Sequence, residues 1–335
     1  MSNNAMEVQI HPAKQFYVNH KELLNTIIMC VCVLFISDMI VGGLTGNFGV
    51  FFSVKQVMVL LRLASFTALF GLCQMIVMSV GGGGLDLSVG YLSALSAILA
   101  GHIMEGSNAG LPLAILVAVG VGAGFGILNG LLVSYIGLPS LVVTMAMASV
   151  IQGICYLYTT FIPISGAPSS AITFFTSKFT GIVPNMIFVL IPLAVVMEII
   201  YKKSRLGAKL LGVGTNENAA HLSGVNVKRV RALAFMASGI VAALCGIMLL
   251  GYFDKASMDL GNNYVMTSIV CAVIGGVAIN GGKASYIPVI LGAFVLQTLN
   301  SLFVAIGWGD AGKWLGFGLI LLVVLLIYVR NKASR

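Results

Sequence analysis

Charge is what this sequence has least of. Only 8% of its 335 residues are Asp, Glu, Lys or Arg, where a soluble globular protein carries roughly a quarter. With 59% hydrophobic residues and a mean hydropathy of +1.04, that scarcity excludes a water-facing surface and implies a membrane-spanning chain. Reactive clusters are missing too. The six cysteines (Cys30, Cys32, Cys73, Cys155, Cys245 and Cys271) all fall in apolar runs, where a thiol acts as a small apolar group. His11, His20, His102 and His221 are scattered, and no metal-ligand spacing occurs, so neither a metal site nor an enzyme is expected. Gly282-Lys283 fails as a phosphate loop: Val277 stands where the first glycine belongs, and Ala284 replaces the magnesium-binding Ser or Thr. The chain carries no ATPase of its own, and it lacks the buried acid and His chain of a proton-driven pump. Cofactors bound by this chain are therefore expected to be none.

What is abundant is long apolar sequence. A helix crossing a bilayer needs about 20 mainly apolar residues. On that measure ten spans are expected, at 23–41, 57–80, 85–104, 111–136, 141–161, 182–200, 232–253, 265–279, 286–306 and 314–329. The fold class is thus an all-α polytopic membrane protein of about ten transmembrane helices. The run at 23–41 is long, contains Asp38 and lacks a small-residue cleavage site, which argues against a cleaved signal peptide. The chain divides into an N-terminal segment 1–22, a transmembrane domain 23–329 and a tail 330–335. Placing both termini and the loop 201–231 in the cytoplasm puts thirteen Lys and Arg inside and five outside, the asymmetry that positive-inside topology demands. The formal net charge of +8 needs no nucleic acid as partner, because loop cations near anionic lipid are favourable.

Seven of the eighteen Lys and Arg lie in the polar loop 201–231. Its middle reads as a short helix. Thr215 or Asn216 can cap the free N–H groups, Glu217 suits the dipole at the start, and Gly224 can take a left-handed closing turn. Ala219 and Ala220 let another surface approach the backbone. From the residues alone, a docking helix and an ordinary charged, topology-fixing loop both remain open.

Glycine patterns mark packing and breaks. Gly122, Gly126 and Gly130 recur every four residues, and Ser238, Ala242 and Gly246 repeat the spacing, so close helix packing is expected with Asn129 inside. Gly81-Gly82-Gly83-Gly84 cannot favour a lipid-facing helix. Irregular backbone at membrane depth must be lined by protein or by a water-filled cavity. Asp86 follows directly and can cap helix N–H groups or serve a moving hinge, in a segment that includes Gly84, Ser88 and Gly90. Gly275-Gly276 and Gly281-Gly282-Lys283 form a matching break, and two such interruptions in corresponding halves suit a transporter. Uncharged polar groups dominate inside the spans: Gln74, Asn129, Thr144, Gln152, Gln297, Thr298 and Asn300. They suit a neutral hydroxylated solute or bonding between helices. Asn129, Thr144, Gln152, Gln297 and Asn300 are the candidate translocation path.

Several stretches in order resemble the permease subunits of bacterial ABC importers for sugars, the ribose/galactose-type group. They are Gly84-Leu-Asp-Leu-Ser-Val-Gly90, Gly126-Ile-Leu-Asn-Gly130, Pro139-Ser-Leu-Val-Val-Thr144, Ser204-Arg-Leu-Gly207, Gly214-Thr-Asn-Glu-Asn-Ala-Ala-His-Leu-Ser-Gly-Val-Asn-Val227 and Val273-Ile-Gly-Gly276 with Gly281-Gly282. The resemblance covers residues 55–329. It implies a multi-pass protein of the bacterial inner membrane that works with a second permease copy or a related permease. It also implies a cytoplasmic ATPase subunit that carries ATP and magnesium, and a periplasmic or lipid-anchored sugar-binding protein. By the same resemblance Asn216, Glu217, Ala219, Ala220, Leu222, Ser223 and Gly224 form a coupling helix seated on the ATPase. Two stretches depart from the group's aldose pattern: Gly261-Asn-Asn-Tyr-Val-Met-Thr267 lacks the usual acid, and Val277-Ala278-Ile279 replaces small polar residues. These departures tell against a plain ribose assignment and leave a furanose, a pentose or a sugar-derived signalling molecule open. A secondary transporter would share the fold class without needing an ATPase.

Overall fold

A computed structural model describes residues 12–162, 167–179, 181–309, 311–316, 318–319 and 322. The tail 330–335, residues 1–11 and most of the expected span 314–329 lie outside the described residues. In chain order the described helices are α1 (Pro12–Thr45), α2 (Val54–Ser79), α3 (Val89–Met104), α4 (Leu111–Leu131), α5 (Ser140–Phe161), α6 (Ser170–Thr176) and α7 (Ile187–Lys203). They continue as α8 (Arg205–Thr215), α9 (Glu217–Leu222), α10 (Val227–Phe253), α11 (Asn262–Ile274) and α12 (Tyr286–Ala305). Two-residue strands β1 (Lys178–Phe179) and β2 (Val183–Pro184) pair antiparallel between α6 and α7.

Among the described residues six helices are long and apolar enough to cross a membrane: Lys21–Thr45 within α1, α2, Asn108–Ile136, α5, α10 and α12. Val89–Met104 and Asn262–Ile274 are apolar but shorter. The expected spans 85–104 and 265–279 are cut back for identifiable reasons. Left-handed glycines delay α3 to Val89, while Gly275 and Gly276 stop α11 at Ile274. The expected span 182–200 is displaced instead. Val183 and Pro184 belong to the hairpin, so α7 starts at Ile187 and runs to Lys203. Between the expected spans 141–161 and 182–200 lies α6.

The core centres on α10, which packs against α2, α3 and α4. The glycine stripe of α4 is what allows the last of these contacts. A Cβ added at Gly122 would lie 2.5 Å from the carbonyl oxygen of Gly239, and one at Gly126 2.5 Å from that of Phe235. At Gly130 it would lie 2.6 Å from the Ala232 backbone. Without a hydrophobic force between helices in lipid, such close backbone packing supplies the attraction. On another face of α10, Ser96 of α3 donates to the Ala243 carbonyl at 2.8 Å. By contrast, Gly120 and Gly124 on the other side of α4 face open space. Gly126→Val is therefore expected to cost about 3 kcal/mol, and Gly124→Val well under 1. Thermal unfolding of the two purified variants in detergent checks the difference.

A candidate hinge and coupling site

Two irregular segments lie at the end of the bundle that carries the basic loop. The first, residues 80–88, leaves α2 through Gly81, Gly82 and Gly83, whose φ angles are +71°, +69° and +69°. A side chain in that region costs roughly 1–2 kcal/mol per residue, so three glycines in a row make this turn possible. The chain then buries Asp86 completely. Its Oδ1 accepts from the Ser88 N–H at 3.0 Å and from Ser88 Oγ at 2.6 Å, and its Oδ2 accepts from Ser238 Oγ of α10 at 3.1 Å. Gln74 of α2 holds the backbone of the same residue, donating to its carbonyl at 2.7 Å and accepting from its N–H at 3.2 Å. Asn129 of α4 donates to Ser88 Oγ at 3.0 Å. From α5, Ser140 donates to the Gly83 carbonyl at 2.5 Å and Thr144 to the Leu85 carbonyl at 3.2 Å. Four helices thus converge on one carboxylate and the turn around it. Gly84 is close-packed within the same segment, and Gly90 in the first turn of α3 lies against Gly261 at the start of α11.

The second segment, residues 275–285, opens with a closing turn on α11. Val277 N–H donates to the Ala272 carbonyl at 3.0 Å, with Gly276 at φ +79°. It returns through Gly281 and Gly282 at φ +89° and +81°. Lys283 pairs with Glu22 of α1. The free N–H groups at the start of α12 are capped from α7: Glu198 Oε1 accepts from Ser285 Oγ at 2.6 Å, Tyr286 N at 3.0 Å and Ile287 N at 3.2 Å. Its other oxygen pairs with Lys202 at 2.6 Å. An acid at a helix N-terminus satisfies both the orphan donors and the dipole.

The two segments touch. Gly282 N–H donates to the Ser79 carbonyl at 3.0 Å. A Cβ on Gly281 would lie 2.5 Å from Gly81 Cα and 2.8 Å from Gly214 Cα, near the end of α8. One residue past α8, Asn216 Oδ1 accepts from Ala219 N at 3.0 Å and caps α9. Gly224, at φ +80°, closes α9 while Val225 N–H donates to the Ala220 carbonyl at 3.0 Å. Glu217, Ala219, Ser223 and Gly224 are exposed, and Leu222 is 86% exposed. Ala220 does not share that surface, because it is buried against the bundle. A cavity of about 630 Å³ lies beside α9, lined by Glu217, His221 and Gly224 among others.

The candidate path residues separate. Asn129 and Thr144 are buried around Asp86, bonding α4 and α5 to the first break. Gln297 and Asn300 of α12 meet at a cavity of about 150 Å³ that Asn263, Tyr264 and Thr267 of α11 also line. Gln297 donates to Thr67 Oγ1 at 2.7 Å. Gln152 is half-buried on α5 and belongs to neither group. Sequence reasoning missed Asn263 and Thr267, which it met only as a departure from a pattern. It also gave no role to Glu198 and Arg231, whose contacts with Ser285 and Gly82 join residues far apart in the chain. Among the described residues no cluster of His, Cys, Asp and Glu could hold a metal.

A helical bundle with mostly apolar outer faces, glycine-broken segments and a short exposed helix between two spans defines a multi-pass membrane transport subunit. The chain belongs to the family described as branched-chain amino acid transport system, permease component, which it matches over residues 56–329. It is 33% identical to a probable ABC transporter permease protein of Sinorhizobium fredii, over 78% of this chain and 80% of that one. It is 30% identical to a ribose import permease protein of Bacillus subtilis, over 75% and 78%, and 28% identical to a fructose import permease protein of Rhizobium meliloti, over 90% and 85%. No solved structure matches it.

Asp86→Ala would leave the Ser88 and Ser238 hydroxyls without their acceptor inside the bundle. It is expected to lower stability by on the order of 3 kcal/mol, whereas Gln152→Ala changes it by less than about 0.5. Thermal unfolding in detergent separates the two.

Proposed function

We propose that the chain is the membrane subunit of an ATP-driven, binding-protein-dependent importer that moves a neutral sugar or sugar-like solute into the cytoplasm. Both termini and the loop 201–231 then face the cytoplasm. The shorter α3, α7 and α11 cross with the six long helices and the stretch 314–329, giving about ten spans. ATP and magnesium act on a separate cytoplasmic ATPase, and a sugar-binding protein delivers solute at the opposite face.

The observation that carries this reading is α9. Six residues are too few to hold a helix in water unaided, so its caps and its buried Ala220 maintain it. An apolar Leu222 left 86% exposed beside a cavity suits a docking surface for a protein partner. Relatives named as ribose and fructose import permeases support the solute class. So do the amide and hydroxyl groups of Asn263, Thr267, Gln297 and Asn300 around one small cavity, since such groups both donate and accept toward hydroxyls.

Glu217→Lys and Gly224→Leu are expected to abolish uptake, tested with radiolabelled ribose, fructose, allose and galactose, while membrane insertion stays at the wild-type level. The wild-type chain should co-purify with a cytoplasmic ATPase. Normal uptake by either variant would remove α9 from the coupling role, and transport by a complex lacking an ATPase would overturn the importer reading.

A further inference from the structure

Arg231 lies in the second turn of α10, facing two features at once. Its Nη2 is 3.0 Å from Glu217 Oε2, an ion pair to the first residue of α9. Its guanidinium also covers Gly82: a Cβ there would lie 3.0 Å from Nη2 and 3.1 Å from Cζ. The Arg231 side chain is 13% exposed and that of Glu217 57%, so the pair ties the surface helix to the exposed glycine turn after α2. Buried Nε has no partner. An arginine held by one edge and one face, with its buried Nε–H idle, is placed by geometry rather than by full satisfaction of its hydrogen bonds.

Gly82 is the middle glycine of three at positive φ, where the absence of a side chain lets the first break turn. Next to it, Gly81 lies against Asn280, Gly281 and Gly214. The same stretch leads within four residues to Asp86 and its four helices. We propose that Arg231 is the positioning residue through which displacement of α9 reaches the first glycine break. A shift of Glu217 drags the guanidinium, and the guanidinium plane presses on or frees Gly82. This inference rests on the coupling role proposed for α9 and adds the route inward from it. The planar fork explains why a lysine would not serve: it keeps the charge, and so the topology, but loses the plane that lies over the glycine.

The test needs no knowledge of the solute. Asn280 is exposed, has no left-handed backbone and lies against Gly81, so Asn280→Cys in a Cys32→Ser background reports on the break through its rate of maleimide labelling. The full complex with its ATPase is labelled with and without ATP and magnesium. With Arg231 intact, ATP should change the labelling rate at least fivefold. With Arg231→Gln or Arg231→Lys, ATPase binding and hydrolysis persist while the ATP-dependent change falls below twofold. Arg231→Lys keeps the basic count of the loop, so it remains informative if Arg231→Gln fails to insert. A wild-type response in Arg231→Lys overturns the inference. So does a break that never responds to ATP although the ATPase is bound. Failure of the unmutated chain to bind any ATPase defeats the coupling reading of α9 itself.

Discussion

Three backbones can meet at one point only if none of them carries a side chain there. Gly81, Gly214 and Gly281 come from the break after α2, the end of α8 and the break before α12, and each sits where a Cβ would collide with another's main chain. Close packing leaves no space to relax such a collision, so enlarging any one of the three would separate all the segments. Because two of these glycines are at positive φ as well, the junction is both tight and able to turn. It is the place where the basic loop and the two irregular segments become one mechanical unit.

The carboxylate of Asp86 secures the other side of that unit. A charge in an apolar interior is costly unless its polar atoms are all matched, and here they are: both carboxylate oxygens accept hydrogen bonds, and the residue's own N–H and carbonyl are taken by Gln74. The donors come from separate elements, so the cost of exposing the carboxylate is shared between α2, α10 and the start of α3. Glu198 does the same for α12 from α7. In each case an acid satisfies donors that the broken backbone leaves free. Glycine supplies the turn, and a carboxylate from within the segment or from across the bundle holds it.

Local features were the legible ones. Gly224 after a capped acidic turn announces α9, and the four-residue spacing of Gly122, Gly126 and Gly130 announces a close helix contact, because both signals lie within one or two turns of chain. Orientation of the polar groups was not legible. Asn129 and Thr144 look like Gln297 and Asn300 in sequence, yet one pair bonds the first break inside the bundle and the other lines a cavity. The difference is made by which helix lies opposite, and that information is spread over residues 41 to 59 positions away for the hydrogen bonds of the first pair. Likewise, nothing near Arg231 marks Gly82, and nothing near Glu198 marks Ser285. Short elements fail for a related reason. α6 and the hairpin β1–β2 are held by tertiary contacts, not by their own propensity.

Those contacts give α10 a second role. It runs unbroken for 27 residues, about 40 Å at 1.5 Å per residue, with Arg231 and Glu217 near one end. At the other end Arg62 of α2 donates two hydrogen bonds to the Thr176 carbonyl, at 3.1 and 2.7 Å, and stacks 4.6 Å from the Tyr252 ring centroid. Gly251 lies against Ile172 of α6, which leaves no room for α10 to slide there without moving α6. A continuous helix transmits tilt more faithfully than a segmented one, since its own hydrogen bonds resist bending. The α9 end is therefore joined to two parts of the bundle. One is near, the glycine junction where the backbone turns; the other is far, along α10 to α6, which packs too closely for α10 to slide past it.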